Sequence, residues 1–389
     1  MIAMADHPTV VEVQKKPRNH TLSWRSGAAL RLGAVAARLS RLAGFGGQMI
    51  GGRVSLVLAP GCLRELAAAR HIVLVSGTNG KTTTTAMLTA ALGTAGPVTS
   101  NSSGANMLDG LTTVLATTSE STVVGEIDEL YLPEALSQTH PEALLLLNLS
   151  RDQLDRAGEI HSTALRLQDS ASAHPEVVVV ANCDDPYVVF VALAFATVVW
   201  VSAGNPWRGD SATCPQCRHA LRSAGGAHGH WECTGCGLSR PVPGWALTER
   251  PVVSDEGTAP HGPLITPSGR AVTLQLGVPG EFNRCNAAMA VACAHAMGVE
   301  ESLAATAVGS VTDAAGRFRK FTIDARSAVL ILAKNPAGWA STLELVRSRQ
   351  APVIIAINAE EADGKDTSWL YDVDFESLAG LHVVASGRR

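Results

Sequence analysis

The sequence predicts an α/β protein built around a parallel β-sheet, followed by a smaller α/β domain. Three observations support this. Short apolar segments typical of buried parallel strands alternate with helical patterns from residue 72 onward. A glycine-rich turn links the first of these strands to a helix. After Gly316 the composition changes and two further strand patterns follow, at residues 328–332 and 353–357.

The strand predictions for the larger sheet rest on β-branched and apolar runs bounded by polar residues. They cover residues 72–75, 122–126, 143–149, 177–181 and 197–201. A strand-rich, proline-rich stretch is expected up to about Gly280, and an alanine-rich helix over residues 283–297.

A chain of 389 residues is long enough for two or three domains. We expect a disordered leader over residues 1–23, a central domain over residues 24–318 and a C-terminal domain over residues 319–389. The central domain should begin with a basic amphipathic helix over residues 24–43. That helix could lie on an anionic membrane surface, although packing against the domain with its arginines outward is the favoured interpretation.

Composition excludes several classes of protein. The net charge of −4 and the 4% aromatic content argue against a broad nucleic-acid-binding surface. The first twenty residues lack the apolar core of a signal peptide. The longest apolar run, residues 187–201, is too short to cross a bilayer and is better explained as a helix start followed by a strand. These features predict a cytoplasmic protein that is not transmembrane.

The stretch HIVLVSGTNGKTTTTAML, residues 71–88, has the pattern of a phosphate-binding loop. Gly77 and Gly80 allow the backbone to turn tightly between strand and helix. Lys81 brings a positive charge near phosphate oxygens at the helix N-terminus, and the Thr82 hydroxyl can reach a magnesium ion. Val75 stands where the strict motif has its first glycine, and a purely structural turn is the alternative. The pattern predicts a nucleotide and magnesium site.

Four cysteines have the spacing C-x2-C-x15-C-x2-C, which is typical of a zinc ribbon. They are Cys214, Cys217, Cys233 and Cys236. Four thiolates fill a tetrahedral zinc site and leave no position for chemistry, so we expect a structural insertion over about residues 211–240. Two disulfides are the alternative, which a reducing cytoplasm disfavours.

Polar clusters follow several of the predicted strands, where a parallel sheet would place a ligand site. A carboxylate such as Glu126 at a strand end can hold magnesium beside phosphates. Side-chain amides such as those of Asn283 and Asn286, three residues apart on one helix, can hydrogen-bond an adenine edge. Acidic loops, ion pairs and helix caps are the structural alternatives. The clusters are VVGEIDE (Glu126, Asp128, Glu129), NLSRDQLDR (Asn148, Asp152, Asp155, Arg156), NCDDP (Asn182, Asp184, Asp185) and GEFNRCNAA (Asn283, Asn286).

None of the remaining four cysteines has the glycine-flanked setting of an activated nucleophile. Cys62, in APGCLREL, comes nearest to that pattern. Cys183, Cys285 and Cys293 are expected to be inert core residues. The sequence therefore predicts no glutaminase chemistry of its own.

Taken in order, these motifs and the Gly316–Arg317 pair resemble the central domain of the Mur ligase family. Within that family, the ribbon and the segments LAKNPAGWASTLELV and ADGKDTSWLYDVDFE resemble the MurT branch, from about residue 24 to the end. The resemblance implies ATP-dependent activation of a carboxylate through an acyl phosphate, in peptidoglycan biosynthesis. The product would be D-isoglutamine, formed by amidation of the D-glutamate α-carboxylate of lipid II.

The resemblance also assigns site residues. Lys81, Glu126 and Asp366 would be catalytic, Thr82 and Glu126 would hold magnesium, and the four ribbon cysteines would hold zinc. Asp366, with Asp363 as runner-up, would orient the catalytic histidine of a separate GatD-type glutaminase that supplies ammonia. The residues expected to bind ATP are Gly77, Thr78, Asn79, Gly80, Lys81, Thr82, Thr83, Asn283, Asn286 and Arg317.

The sequence departs from the wider Mur pattern at three places. Gln153 stands where many Mur ligases have a magnesium-binding histidine, and Gln168 stands near the place of their modified lysine. The residue two after Arg317 is not the usual acidic one. The given sequence stops at LHVVASGRR, where the resemblance implies one or two further strand–helix units, so we expect either a truncated chain or a short C-terminal domain.

Two alternatives remain open at this point. One is a stand-alone amino-acid ligase of the Mur or folylpolyglutamate type, which would release ADP without a glutaminase. The other is a zinc-ribbon ATPase that binds nucleic acid, which would show salt-dependent binding to single strands.

Overall fold

A large β-sheet organises most of the chain. The computed structural model describes residues 21–44, 49–101, 105–151, 160–204, 210–224, 229–248, 261–312, 318–324, 326–358 and 367–388. Within these ranges the sheet has nine strands in the order β11-β10-β9-β6-β5-β4-β1-β3-β2. The strands are β1 (His71–Ser76), β2 (Val98–Ser100), β3 (Thr122–Glu126), β4 (Ala143–Leu146), β5 (Val178–Asn182), β6 (Thr197–Ser202), β9 (Trp245–Leu247), β10 (His261–Ile265) and β11 (Ala271–Gln275).

Helices connect and cover these strands. On the N-terminal side they are α1 (Trp24–Leu42), α2 (Ile50–Leu58) and α3 (Cys62–Ala67). Through the sheet they are α4 (Lys81–Gly93), α5 (Leu108–Thr117), α6 (Leu132–Thr139), α7 (Ile160–Ala171), α8 (Pro186–Ala192), α9 (Glu281–Ala296) and α10 (Glu301–Gly309). None of the described helices has the length and apolarity needed to cross a bilayer.

The predicted parallel sheet is confirmed. β1 pairs in parallel with β3 and β4, and the parallel pairing continues through β5 and β6 to β9. Alternate residues of a strand point to opposite faces. Accordingly Ile72 and Leu74 join the core formed with α3 and α5–α8, whereas Val73 and Val75 join the core formed with α4, α9 and α10. The sheet is therefore buried on both faces.

The proline-rich stretch extends this sheet. β9 continues the parallel order beside β6, and β10 and β11 then add antiparallel strands. The predicted strands otherwise match within one or two residues, except that the strand predicted over residues 143–149 ends at Leu146. Pro186 begins α8, so the apolar run at residues 187–201 is a buried helix followed by β6, as expected.

The four-cysteine segment forms a small hairpin of β7 (Leu221–Ala224) and β8 (His230–Cys233) that packs into the main core. Trp231 is 3% exposed and donates its indole N–H to the Cys183 carbonyl at 3.1 Å. Arg240, after the hairpin, pairs with the buried Asp184 at 2.7 Å. The insertion is thus joined to the end of β5 by both apolar contact and an ion pair.

The C-terminal residues form two further small sheets and a helix. β12 (Phe318–Ile323) and β13 (Arg326–Ile331) are antiparallel, whereas β14 (Val353–Asn358) and β15 (Val383–Arg388) are parallel. Helix α11 (Pro336–Arg349) lies between them in sequence and is capped by Asn335, whose side chain accepts from the Gly338 N–H. The strands predicted at residues 328–332 and 353–357 are confirmed.

Candidate active site

The loop after β1 has the geometry of a phosphate-binding loop. Gly77 and Gly80 both have positive φ angles, +139° and +86°, which favour glycine. A Cβ on Gly80 would lie 2.4 Å from the Asn286 Oδ1, so the loop backbone approaches α9 closely. Helix α4 begins directly at Lys81. The first turn of a helix has N–H groups without intrahelical partners and a partial positive charge, which together can bind an anion.

The loop is fixed by the segment that follows β4. Asn148 accepts from the Asn79 N–H at 2.9 Å and donates its amide to the Asn79 carbonyl at 2.9 Å. The Asn148 carbonyl accepts from the Thr78 N–H, and the Ser150 N–H donates to the Thr78 hydroxyl at 3.0 Å. Asn148 therefore orients the loop. Ser150 belongs to the NLSRDQLDR motif, but the sequence analysis assigned it no role, because its contact joins segments 72 residues apart.

Lys81 lies inside the protein rather than on its surface. It is 2% exposed, and its Nζ donates to the Gly77 carbonyl at 2.5 Å and to the Glu129 carboxylate at 2.9 Å. Burial alone would raise the pKa of Glu129, but the Lys81 ammonium outweighs it and the pKa lies below its usual value. The lysine is thus held charged at the base of the loop.

Thr82 and Glu126 form a second buried polar pair beside Lys81. The Thr82 hydroxyl donates to the Glu126 carboxylate at 3.0 Å, and both residues are at most 4% exposed. Asn101 holds the strand end, because it accepts from the Glu126 N–H and donates to the Glu126 carbonyl. A carboxylate and a hydroxyl beside a phosphate loop are oxygen ligands that suit magnesium.

The next acidic residue, Asp128, stands at the edge of this cluster. Burial, and then repulsion from Glu129, raises the pKa of Asp128, while the charges of Lys81 and Lys334 oppose the rise. Lys334 belongs to the segment between β13 and α11. The sequence prediction did not single it out, and the LAKNPAG segment that carries it was the one available signal.

A cavity beside the phosphate loop is lined by the loop, by α9 and by the C-terminal residues. One wall is the loop at Gly80 and Thr83, and another is the start of α9, where Asn286 donates to Asn283 at 3.3 Å. The third wall comes from the C-terminal residues at the end of β13 and the start of α11. Its lining residues there are Ile331, Leu332, Ala333, Lys334, Ala337, Gly338, Ser341 and Thr342.

The NCDDP turn has mainly structural roles. Asp185 caps α8 by accepting from the Tyr187 and Val188 N–H groups, and it also accepts from the Leu149 N–H. Asp184 pairs with Arg240, as described above. Asn182 bridges the ends of β4 and β6 through the Leu147 and Gly204 carbonyls. Asn182 and Asp185 nevertheless line the cavity.

The three cysteines expected in the core are buried to different degrees. Cys183 and Cys293 are fully buried core residues, as expected. Cys285 is partly buried: it packs against the core cluster that contains α9 and also lines the cavity. Burial raises the pKa of the Cys285 thiol, which agrees with the expected inert residue. Cys62 is fully buried, and burial raises the pKa of its thiol, which disfavours the thiolate.

Several predicted residues lie outside the described residues. They include Arg317, Asp363 and Asp366, and the NLSRDQLDR motif from Asp152 to Arg156. Asp372, which ends the short helix Ser368–Asp372, is among the described residues, and its carboxylate pairs with Arg151 at 3.3 Å. Arg151 also contacts Asp210 before the ribbon. Asp372 therefore ties the C-terminal residues to the central sheet.

The four ribbon cysteines converge as predicted. Cys214 and Cys236 are 3.6 Å apart at their Sγ atoms, and Cys217 and Cys233 are 3.3 Å apart. All four Sγ atoms lie within 4.8 Å of one another. The backbone N–H of Gln216 points at the sulfur of Cys214, and that of Gly235 points at the sulfur of Cys233. The cluster could hold a metal ion.

Solved structures share this fold. A pseudomurein peptide ligase type C from Methanothermus fervidus superposes with a TM-score of 0.63 at 19% identity, over 81% of this chain and 67% of that one. MurF from Acinetobacter baumannii superposes with a TM-score of 0.65 at 19% identity, over 86% of this chain and 68% of that one. MurF from Thermotoga maritima in complex with ADP superposes with a TM-score of 0.61 at 15% identity, over 85% of this chain and 74% of that one. The fold is shared with these ligases.

Sequence relatives narrow the class. Residues 75–204 match the family model described as Mur ligase middle domain, and residues 332–389 match MurT ligase C-terminal. The MurT subunit of lipid II isoglutaminyl synthase (glutamine-hydrolyzing) from Streptococcus pneumoniae is 31% identical over 90% of this chain and 82% of its own length. The MurT subunit from Staphylococcus aureus is 29% identical over 93% of this chain and 84% of its own length. This chain belongs to the MurT family of Mur-type ligases.

Replacing Lys81 by alanine should leave the Glu129 carboxylate buried without its ammonium, at a cost of about 3 kcal/mol in unfolding free energy at pH 7. The lowered pKa of wild-type Glu129 means that the pair stabilises the fold above the unfolded pKa of 4.5 and less as pH falls through the folded value. In Lys81→Ala burial dominates and raises that pKa, so the variant gains stability as pH falls. Urea denaturation should show a difference in unfolding free energy between the wild type and Lys81→Ala that is largest at neutral pH and decreases toward acidic pH.

The matched control is the double variant Lys81→Ala/Glu129→Gln, which lacks both charges. It should recover part of the lost stability at pH 7 and lose the pH dependence that sets Lys81→Ala apart. An equal cost at pH 5 and pH 7 in Lys81→Ala would show that the ion pair does not set the charge state of this site.

Proposed function

We propose that the chain uses ATP to activate the α-carboxylate of D-glutamate in lipid II and transfers the activated carbonyl to ammonia, giving D-isoglutamine. The observation that carries the proposal is the phosphate loop, with the buried Lys81 and the Thr82–Glu126 pair behind it. The loop itself lines a cavity whose other walls are the start of α9 and the start of α11. Relatives named as lipid II isoglutaminyl synthase subunits support the substrate, since they match along 90% of the chain or more.

A carboxylate is a poor electrophile, so its oxygen would first attack the γ-phosphorus of ATP. ADP leaves and an acyl phosphate forms. Lys81, the loop N–H groups and the α4 N-terminus would stabilise charge on the phosphoryl group, because fixed dipoles and charges in a buried site cost little reorganisation. Thr82 and Glu126 would hold a magnesium ion, which would supply charge neutralisation on the phosphates.

The remaining nucleotide contacts follow from the walls of the cavity. Thr78, Asn79 and Thr83 would surround the phosphates, and Asn283 and Asn286 would face the base. Arg317, which directly precedes β12 in the sequence, is a proposed ATP contact on the resemblance of the Gly316–Arg317 pair to the Mur ligase pattern. Lys334 adds a positive charge from the C-terminal side of the same cavity.

In the second step ammonia attacks the acyl carbon, phosphate leaves, and the amide forms with loss of a proton. Ammonia is mostly protonated in neutral water and is then not nucleophilic. A source beside the site is therefore needed, and we propose a GatD-type glutaminase subunit as the partner in a cytoplasmic complex. A stand-alone amino-acid ligase would not need this partner.

The proposal is tested by reconstituting the chain with a candidate glutaminase, ATP, glutamine and lipid II, and following the product by mass spectrometry. We expect glutamine-dependent conversion of a carboxyl to a carboxamide, with ADP released. Lys81→Ala should abolish it, whereas Arg347→Ala, an exposed change on α11, should not. ADP release on adding an amino acid, with no glutaminase present, would instead indicate the stand-alone ligase.

We propose zinc as the metal of the four-cysteine cluster, because four thiolates within 4.8 Å match a closed tetrahedral zinc site. Metal analysis should give about one zinc per chain. Cys214→Ser/Cys217→Ser should lower both zinc content and thermal stability, since the hairpin packs into the main core through Trp231. A metal-free wild type, or a double variant that keeps its stability and loses only catalysis, would contradict a structural zinc.

Asp366 would act in trans as the third member of the glutaminase triad. In the sequence it lies between β14 and the short helix Ser368–Asp372, two residues after Gly364. A carboxylate there could hold the partner's catalytic histidine in the correct tautomer and stabilise its cation. Glutamine hydrolysis would then depend on docking, and ammonia would not be wasted.

Asp366→Asn is therefore expected to leave ATP binding and complex formation unchanged while glutamine-dependent amidation falls by orders of magnitude. Ammonium supplied at high pH should restore part of the product, because it bypasses the glutaminase. Asp363→Asn serves as the comparison and should have a small effect. If Asp363→Asn carries the loss instead, the trans role belongs to Asp363.

A further inference from the structure

We infer that helices α1 and α2 form a surface that docks the protein on an anionic phospholipid bilayer. The surface, called here the hairpin surface, combines exposed apolar residues with arginines. Its apolar members are Leu32, Val35, Leu39, Leu42, Ile50, Val57 and Leu58. Its arginines are Arg25, Arg31, Arg38, Arg41 and Arg53.

The apolar residues of α1 form a continuous stripe. Leu32, Val35, Leu39 and Leu42 recur at intervals of three and four residues, which places them on one face of the helix. Their exposed fractions are 55%, 51%, 61% and 85%. Single exposed apolar residues are common, but a contiguous exposed stripe marks a binding surface.

This stripe is not needed to hold the two helices together. The face of α1 that packs inward carries Ser26, Ala29 and Gly33, all buried. A Cβ on Gly33 would lie 2.4 Å from the Gly51 carbonyl, so the helices already meet at a close glycine contact. The sequence prediction of a packing helix is therefore correct for one face of α1 and leaves the other face unexplained.

The charge of the segment is strongly one-sided. Residues 24–58 contain five arginines and no aspartate, glutamate or lysine. Since the whole chain has a net charge of −4, the remainder carries −9, because −4 minus +5 is −9. A basic helix with an apolar stripe fits the interface of an anionic bilayer, where arginines meet lipid phosphates and apolar side chains enter the acyl boundary.

The same features disfavour other occupants. In a dimer formed through this surface, Arg31 and Arg38 beside the stripe of one copy would face the arginines of the other copy, and like charges repel. The arginines also prevent α1 from spanning a membrane, in agreement with the absence of any spanning helix among the described residues. Trp24, 79% exposed at the start of α1 with Arg25 over its ring at 5.6 Å, is a residue type typical of membrane interfaces.

A bilayer partner gives the surface a purpose that rests on the proposed function, since lipid II is a membrane lipid. Docking through α1 and α2 would let the protein reach lipid II by diffusion along the membrane surface rather than through the bulk solution. The hairpin surface lies N-terminal to the phosphate loop and contributes none of the proposed catalytic residues. Vesicle binding can therefore be measured apart from catalysis.

The test is co-sedimentation of the full chain with phosphatidylcholine vesicles that contain or lack phosphatidylglycerol, without lipid II. We expect binding to the anionic vesicles, weak binding to neutral ones, and loss of binding in 1 M salt, where screening is nearly complete. Arg31→Gln/Arg38→Gln should weaken binding about 25-fold, at about fivefold for each arginine. Val35→Ser/Leu39→Ser should weaken it at least about tenfold, because less apolar area is buried.

Matched controls are Arg347→Gln and Leu303→Ser, at exposed positions on α11 and α10, which should bind like the wild type. Circular dichroism and thermal melting confirm that each variant is folded. Equal binding to neutral and anionic vesicles, or none to either, would overturn the inference. So would a wild-type dimer that Val35→Ser/Leu39→Ser dissociates, or loss of vesicle binding when the glutaminase is added. Because the vesicles lack lipid II, failure of the amidation assay leaves this result unaffected.

Discussion

The buried ion pair between Lys81 and Glu129 is the interaction on which the site depends. A lysine that is 2% exposed keeps its charge only if a carboxylate compensates for lost hydration. The pair fixes the ammonium under the Gly77 carbonyl at 2.5 Å, at the start of α4. Loop, strand end and helix are thereby aligned before any ligand binds, which is the preorganisation that electrostatic stabilisation of a phosphoryl group requires.

The ribbon and the site share the strand ends of one sheet. Asp184 and Asp185 both follow the end of β5. Asp184 binds Arg240 at the end of the ribbon, whereas Asp185 caps α8 beside the cavity. Disruption of the ribbon would therefore disturb the end of β5, where Asn182 lines the cavity. The C-terminal residues reach the same region through Arg151, which contacts both Asp210 and Asp372. The site is assembled from three parts of the chain that are far apart in sequence.

Local signals predicted the parts of this structure that depend on local order. The glycine turn, the lysine and threonine after it, the buried strands and the cysteine spacing each appear within a few residues, and the structure has them where the sequence placed them. Other features depend on long-range pairing and were missed. β9 to β11 extend the main sheet, Ser150 fixes the loop, and Lys334 enters the cavity from a separate sheet region. The contact of Cys285 with the cavity was not predicted, because an alanine-rich helix pattern does not show which turn meets the cavity.

The central claim is that this chain uses ATP to phosphorylate the α-carboxylate of its D-glutamate substrate. It is tested most directly by labelling both oxygens of the D-glutamate α-carboxylate with oxygen-18 and analysing the phosphate released during amidation. Attack of a carboxylate oxygen on the γ-phosphorus, followed by displacement by ammonia, transfers one labelled oxygen to phosphate. The account predicts one oxygen-18 per phosphate for each amide formed. Unlabelled phosphate released together with amide product would contradict it.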